Sequence, residues 1–148
     1  MERVEEKLYQ KIVQNVPLLC VDVIILDKNK ILLVKRKDEP AKGEWFVPGG
    51  RVYKNETLEK AVIRKALEET GLRVRVIRKL GVYEFFSKTS RFEGISSHTV
   101  DIAFLTEPLP NQKIKLDASS SDFKWAEKIE DDLPEFIKKI LAGTRIFK

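Results

Sequence analysis

The chain has 148 residues, enough for one domain with its own core, and 43% of them are hydrophobic. Charged residues make up 34%, a balance that is typical of a globular protein and excludes a disordered one. The formal net charge of +5 favours anionic partners such as phosphates, but the basic residues are scattered, so we expect no nucleic-acid partner.

Targeting features are few. No apolar run approaches the roughly 20 residues of a membrane helix, and the charged start, MERVEEKLYQKIVQNVP, is unlike a secretory signal. The single cysteine, Cys20, lies in an apolar run and is interpreted as a buried thiol. We therefore expect a cytoplasmic protein that forms one domain over residues 1–148 and does not contact membranes.

The hydrophobic pattern predicts helices that alternate with strand-rich segments. In chain order these are a helix over 2–14, strands over 18–26 and 31–36, a short strand in WFVP, a loop over GGRVYKN, a helix over Glu56–Thr70, strands over 72–86, 98–107 and 121–127, and a helix that begins within DDLPEFIKKILAG. Asn55 is predicted to cap the second helix and Gly71 to end it. This order predicts an α/β fold of the α+β kind, with helices on the faces of a mixed sheet.

The second helix concentrates carboxylates beside a glycine turn. Glu68 and Glu69 point about 100° apart, and Lys65 lies midway between them one turn earlier, so the three side chains share one edge. Clustered carboxylates need a cation, and hard oxygen ligands favour Mg²⁺ or Mn²⁺. The Gly49–Gly50 backbone can approach closely and offer a carbonyl. The alternative is a solvated helix face with ion pairs such as Lys65–Glu69.

The segment from Gly50 to Leu72 resembles the Nudix box, G-x5-E-x7-R-E-U-x-E-E-x-G-U, where U is aliphatic. The matching residues are Gly50, Glu56, Arg64, Glu68, Glu69, Gly71 and Leu72. Ala66 relaxes one aliphatic position, and Lys65 stands where the pattern has glutamate. The resemblance implies an α/β/α sandwich around a mixed sheet. It also implies an enzyme that hydrolyses nucleoside diphosphates linked to another moiety, with Mg²⁺ or Mn²⁺ as cofactor.

The lysine at position 65 changes the expected chemistry. In typical Nudix members the missing glutamate helps to bind metals or activates the water that attacks phosphorus. A protonated lysine cannot ligate Mg²⁺, and its charge opposes a second metal. We interpret Lys65 either as a cation for the leaving group or as the ion-pair partner of Glu69, and we favour the ion pair. Arg64 is expected to orient Glu68 or Glu69.

Residues 16–61 are similar to the GDP-mannose mannosyl hydrolases, an unusual Nudix subgroup that also lacks this glutamate. The shared features are PL-x3-D, LL-x-KR, PA-x-G-x-WFVPGGRV and K-x-ETLE. The resemblance implies a nucleotide-sugar substrate, attack at the anomeric carbon of the sugar, release of GDP and free hexose, and one Mg²⁺ on the diphosphate. The subgroup is dimeric, so a homodimer is also implied.

The same resemblance assigns roles to individual residues. Gly49, through its carbonyl, and Glu69 would hold Mg²⁺, and Glu68 and Glu56 complete the candidate metal group. Three further candidates would contact substrate, namely Arg36 and Arg51 at the diphosphate and Lys65 beside them. Asp22, alone in an apolar strand, would contact the nucleotide sugar or form a buried ion pair with Arg36.

The general base is the weakest part of the resemblance. The histidine that serves the subgroup aligns with Ser120, whose hydroxyl is too weak a base. His98, the only histidine, is the candidate catalytic base, with a structural role as the alternative. Other possible bases are Glu84, Asp101, Asp117 and Asp122. Three hypotheses remain: a nucleotide-sugar hydrolase acting at carbon, an ordinary Nudix pyrophosphohydrolase acting at phosphorus, and a nucleotide-binding module without catalysis.

Overall fold

The computed structural model describes residues 4–147. Its elements are α1 (Glu6–Asn15), β1 (Leu18–Asp27), β2 (Lys30–Arg36), β3 (Trp45–Phe46), β4 (Gly49–Arg51), α2 (Leu58–Thr70), β5 (Val74–Ser87), β6 (Ser97–Pro108), β7 (Ser120–Ala126) and α3 (Glu135–Gly143). The predicted start of the first helix at residue 2 lies outside the described residues. Within residues 4–147, no helix is long and apolar enough to span a bilayer.

The strands form a mixed sheet of seven that is organised around β1. β1 runs parallel to β6 and antiparallel to both β4 and β2. β5 extends the sheet beyond β6, while β3 and β7 pair with β2. β1 therefore has β4 along one edge and β6 along the other, which brings together segments that are distant in sequence.

Two hydrophobic clusters cover opposite faces of this sheet. Along β1 the side chains alternate, so Ile24 packs in a cluster with α3, whereas Val21 and Val23 pack in a cluster with α2. Ile137 and Ile140 of α3 and Val62 and Ala66 of α2 are fully buried against these two faces. The predicted sandwich of helices around a mixed sheet is confirmed.

The start of α2 differs from the prediction. The helix begins at Leu58, and Thr57 rather than Asn55 is its N-cap, with the Thr57 hydroxyl accepting a hydrogen bond from the Lys60 N–H. Asn55 has a φ of +68°, which belongs to a turn and not to the extended backbone of an N-cap. Glu56 consequently lies in the loop before the helix. Gly71 ends α2 in the left-handed conformation, as predicted.

Two other boundaries also differ. Gly49–Arg51, predicted as a loop, pairs with β1 as the short strand β4, because residues without side chains can approach a neighbouring backbone closely. The C-terminal helix begins at Glu135 after Pro134, several residues later than predicted from Asp131 and Asp132. Proline lacks an N–H and its fixed φ suits a helix start.

Candidate active site

Glu69, in the last turn of α2, joins the helix to β4. Its side chain is buried, yet Oε2 accepts a hydrogen bond of 2.7 Å from the Gly49 N–H, and Oε1 accepts one of 3.3 Å from the Ser119 hydroxyl. Burial raises the pKa of Glu69, while the charge of Lys65 and the Gly49 N–H oppose that shift. A carboxylate is therefore held at a fixed position against the backbone of β4.

The two glycines of β4 are packed differently. A Cβ on Gly49 would overlap the Val21 carbonyl oxygen and lie 2.7 Å from Asp22 Oδ1, so this position tolerates no side chain. A Cβ on Gly50 would meet the Lys65 Cε at 2.6 Å, at the end of a flexible side chain. Gly49 thus sets how closely β4 approaches β1, whereas Gly50 makes room for Lys65.

Lys65 bridges the two glutamates. Its Nζ lies 3.3 Å from Glu68 Oε2 and 3.7 Å from Glu69 Oε2. The structure therefore contains the ion pair between Lys65 and Glu69 and adds a shorter one to Glu68. The amine occupies the position between the carboxylates where a cation is needed.

Arg64 forms the second basic centre of the site and contacts Glu68, one of the two expected partners, together with Glu56. Its Nε and Nη2 donate to the two oxygens of Glu56 at 2.7 and 2.9 Å, and its Nη1 donates to Glu68 at 3.2 Å. Nη2 also donates to the Arg51 carbonyl at 2.8 Å. The bond from Arg64 lowers the pKa of Glu56. Arg64 therefore orients Glu56 as well as Glu68, and it does not hydrogen-bond to Glu69.

These contacts determine which carboxylates are available to bind a divalent cation. Among residues 4–147, no three carboxylate, imidazole or thiol groups come together as a metal site. Both oxygens of Glu56 are engaged by Arg64, and its Oε1 also accepts the Tyr53 N–H. Mg²⁺ is commonly held by one or two carboxylates together with substrate phosphates and water. Glu69 and Glu68 beside the Gly49 backbone fit such an ion, whereas Glu56 would first have to leave Arg64.

Another pair of carboxyl groups lies on the face of the sheet that carries Ile24. Asp22 of β1 and Asp101 of β6 are neighbours on that face, each is 6% exposed, and within the described residues Asp22 Oδ2 and Asp101 Oδ1 have no hydrogen-bond partner. Burial raises the pKa of both groups, and the charge of Asp101 raises that of Asp22 further. Two adjacent carboxyl groups that are both buried cannot both be ionised without a large cost, which is the physical cause of these shifts.

Of the two alternatives for Asp22, the buried ion pair with Arg36 is the one that the structure does not contain. Within the described part of the chain these two side chains form no salt bridge, and Arg36 Nε instead donates to the Pro40 carbonyl at 2.6 Å. The positive charge of Arg36 still acts on the carboxyl groups of Asp22 and Glu69, lowering the pKa of each. Arg36 therefore stands beside the carboxylate site without being neutralised by it.

Arg51 lies on β4 opposite Cys20 of β1, between the rings of two tyrosines. Its guanidinium is 4.2 Å from the ring centroid of Tyr9 and 5.9 Å from that of Tyr53. Arg36, whose guanidinium is 5.6 Å from the Phe46 ring, lines a cleft of about 980 Å³ next to α1. The two arginines predicted to contact a diphosphate are therefore both held by aromatic rings.

Comparison with known proteins places this arrangement in a family. The model of the NUDIX domain matches residues 16–140. The chain belongs to the Nudix family. Nudix proteins act on small-molecule nucleotide derivatives and generally use divalent metals such as Mg²⁺ or Mn²⁺.

Two curated relatives are similar to this chain in sequence, and their names indicate different functions. The low-salt glycan biosynthesis protein Agl8 of Haloferax volcanii is 41% identical over 94% of this chain and 89% of its own length. An ADP-ribose pyrophosphatase of Methanocaldococcus jannaschii is also 41% identical, over 72% of this chain and 61% of its own length.

Solved structures share the fold. The crystal structure of a MutT Nudix hydrolase from Burkholderia pseudomallei aligns with a TM-score of 0.70 and 25% identity, over 86% of this chain and 97% of that one. A bifunctional NMN adenylyltransferase/ADP-ribose pyrophosphatase from Francisella tularensis, solved with AMP and a manganese ion, aligns with a TM-score of 0.59 and 25% identity. That alignment covers 91% of this chain but 39% of the other.

His98, the candidate base, lies away from the other residues of the Nudix site. Strand alternation places its side chain on the face of β6 opposite to Asp101. There its Nε2 lies 3.0 Å from Glu84 Oε2, and its ring stacks on Phe86 with a centroid distance of 4.3 Å. This geometry favours the structural role for His98, and its catalytic role stays a prediction.

Sequence reasoning did not identify Ser119 as part of the site. The resemblance aligned the subgroup histidine with Ser120, which is buried, whereas the neighbouring Ser119 hydroxyl contacts both Glu69 and Asp117. The pairing of Asp101 with Asp22 was also missed, although Asp101 was a candidate base. Its signal was available, because Asp101, like Asp22, interrupts an apolar strand.

Alanine at the two glycines should have unequal effects. Gly49→Ala should lower the free energy of unfolding by about 1–3 kcal/mol, because its Cβ meets fixed backbone, and Gly50→Ala by less than about 1 kcal/mol, because Lys65 can move. Urea unfolding followed by circular dichroism measures both. Equal losses would contradict the proposed difference in packing.

The buried carboxyl pair predicts a pH effect on stability. The folded-state pKa of Asp22 is raised above its ordinary value of 3.8, so its stabilising contribution is complete below that value and is lost as pH rises through the folded pKa. Asp22→Asn cannot lose a proton, so its free energy of unfolding relative to wild type should increase from pH 4 upward.

Urea unfolding of both proteins at several pH values, with a chelator present, measures this difference. Asp27→Asn, at the exposed end of β1, is the matched control for removing one negative charge. If the stability of Asp22→Asn relative to wild type stayed constant or fell over this range, Asp22 would be an ordinary ionised carboxylate.

Proposed function

We propose that this Nudix protein is a Mg²⁺-dependent hydrolase of a nucleoside diphosphate sugar, most like GDP-mannose, that attacks the anomeric carbon and releases GDP and free sugar. The observation that carries the proposal is the position of Lys65. Its ammonium bridges Glu68 and Glu69 where the Nudix pattern has a glutamate that serves attack at phosphorus. A site with a cation there is suited to stabilising a departing diphosphate.

The charge changes of this reaction match the residues present. Water adds to the anomeric carbon, the bond from that carbon to the diphosphate oxygen breaks, and the electron pair leaves with the diphosphate. Arg36 and Arg51 would bind the phosphate oxygens and, with Lys65, stabilise the charge that develops on them. Glu69 and Glu68 would hold a divalent ion that supplies further positive charge to the same leaving group.

The proton released by the attacking water needs an acceptor. Of the candidate bases, Glu84 lies with His98 on the α2 face of the sheet, and Asp117 is bonded to Ser119. Asp101 lies beside Asp22 on the sheet face of Cys20, which is the strand neighbour of Arg51. Asp101 is therefore the first base to test by substitution.

The relative from Haloferax volcanii also supports a sugar substrate, because its name refers to glycan biosynthesis, a process that uses activated sugars. The ADP-ribose pyrophosphatase of Methanocaldococcus jannaschii supports a second candidate, hydrolysis at phosphorus, by a site whose base is another carboxylate. A homodimer, implied by the resemblance to the mannosyl hydrolases, and a cytoplasmic location stay predictions.

Product analysis with GDP-mannose, Mg²⁺ and ¹⁸O-labelled water tests the proposal. Attack at carbon yields GDP and labelled mannose, whereas attack at phosphorus yields GMP and mannose 1-phosphate. ADP-ribose under the same conditions tests the second candidate. Glu69→Gln should abolish turnover and Glu59→Gln, at an exposed position of the same helix, should not. Products of phosphorus attack from either substrate, without labelled sugar, would overturn the proposal.

Lys65→Glu should change the products. The substitution restores the glutamate of the Nudix pattern beside Glu68 and Glu69 and removes the cation that bridges them. We expect cleavage at phosphorus to rise and cleavage at carbon to fall, on the order of tenfold or more. Lys65→Arg, which keeps the charge, is the matched control. An unchanged ratio of the two product pairs in Lys65→Glu would show that Lys65 does not determine the site of attack.

A further inference from the structure

The face of the sheet on which α2 packs is covered over only part of its length. α2 has 13 residues and is about 20 Å long, because a helix rises 1.5 Å per residue. β5 has 14 residues and spans roughly 45 Å in an extended strand. β5 contributes Val74 and Val76 to the hydrophobic cluster beneath α2, and its residues 82–87 extend away from that cluster. One helix of this length cannot cover the whole strand.

The end of β5 that lies beyond α2 is apolar on both faces. Tyr83 and Phe85 pack against the cluster that includes α3. Their neighbours Val82 and Phe86 point to the opposite face, where Ile102, the strand partner of Val82, packs against the cluster of α2. Val82 is 62% exposed and Phe86 is 69% exposed. A segment that is apolar on both faces is typical of a strand covered on both, so this face lacks a cover that its sequence anticipates.

The exposed apolar surface extends across three strands. Leu19 of β1 is exposed and is the strand partner of Val100 in β6, which in turn is the partner of Glu84 in β5. Beside Phe86 lies a groove of about 520 Å³ between the end of α1 and the β5–β6 pair, and the exposed Val16 lines it. We call this surface the β5 face, and its exposed apolar residues are Val16, Leu19, Val82 and Phe86.

Two opposite charges flank Phe86 at equal spacing along the chain. Glu84 precedes it by two residues, and Lys88, which also lines the groove, follows it by two. Both side chains are exposed, and Glu84 contacts His98 through Oε2 alone within the described residues. If a twofold axis near Phe86 related two copies with their β5 strands antiparallel, Glu84 of each copy would lie opposite Lys88 of the other. The charges around Phe86 are therefore complementary to themselves.

We propose that two copies of this chain associate through the β5 face, with the Phe86 rings near the twofold axis and Glu84 of each copy paired with Lys88 of the other. A twofold interface uses the same patch on both subunits, so that patch must complement itself in shape and in charge. Phe86 supplies a protruding aromatic ring, and the groove beside it supplies a recess for the ring of the other copy. No residue of the β5 face belongs to the site around Glu69, so the inference does not depend on the proposed reaction.

Sedimentation equilibrium of the full chain at several concentrations measures the dissociation constant of the dimer. Wild type should dimerise. Phe86→Asp should raise the dissociation constant about thirtyfold or more, because it replaces a central aromatic contact with a charge. Phe123→Asp, which introduces the same charge at an exposed phenylalanine of β7, is the matched control and should leave the dissociation constant unchanged.

Reversal of the two charges tests the antiparallel arrangement. Glu84→Lys and Lys88→Glu should each weaken association on the order of tenfold, because like charges then face each other across the axis. An equal mixture of the two variants should form a heterodimer with an affinity close to that of wild type, and the double variant should form a homodimer of similar affinity. Lys139→Glu, at an exposed position of α3, controls for the change in net charge.

Two results would overturn the β5 face as the interface: a wild-type chain that stays monomeric at every concentration, or a dimer that Phe86→Asp leaves intact. Charge variants that neither weaken the dimer singly nor restore it when mixed would overturn the pairing of Glu84 with Lys88. If circular dichroism shows that Phe86→Asp does not fold, the charge variants at exposed positions test the same face. The products formed from GDP-mannose have no bearing on any of these outcomes.

Discussion

The hydrogen bond from the Gly49 N–H to the buried carboxylate of Glu69 is the contact on which the site depends. It joins the last turn of α2 to β4, and β4 in turn is fixed against β1 because Gly49 has no side chain to separate them. A buried carboxylate needs charge-assisted partners, since desolvation otherwise favours its protonated form. The positions of Lys65, Ser119 and Arg36 around Glu69 follow from that need.

The arginines of the site differ in how many of their guanidinium donors are already hydrogen-bonded within the protein. Arg64 is saturated by Glu56, Glu68 and the Arg51 carbonyl, so it acts as a structural cation that fixes the loop before α2. Arg36 and Arg51 are held by a carbonyl or by aromatic rings and keep guanidinium donors for an anion. This division is compatible with the proposed diphosphate ligand, because Arg64 and Lys65 neutralise the carboxylates while Arg36 and Arg51 form no ion pair with them.

Much of the fold and part of the site follow from local sequence. Period and capping residues predicted the strands, α2 and its end at Gly71, because these depend on neighbours along the chain. The contacts that were missed depend on strand register. Asp101 meets Asp22 only because β6 runs parallel to β1, and Ser119 meets Glu69 only because β7 follows β2 back toward the helix. The prediction that Asn55 caps α2 was wrong for a related reason, since its positive φ is set by the turn between β4 and α2 and not by the helix that follows.

Lys65 distinguishes this Nudix site from the family pattern without altering its architecture. The lysine lies where Gly50 leaves room for it, and it pairs with the same two carboxylates that a metal would use. Its covalently attached charge is present whether or not a metal is bound, but it can neither accept a proton from water nor ligate a second metal while it is protonated. Stabilisation of a leaving group needs only positive charge at the correct distance, whereas activation of water at phosphorus needs a base or a metal hydroxide. Lys65 supplies positive charge beside the carboxylates but no base, and this is the reason that we propose attack at carbon, with the base supplied by another residue.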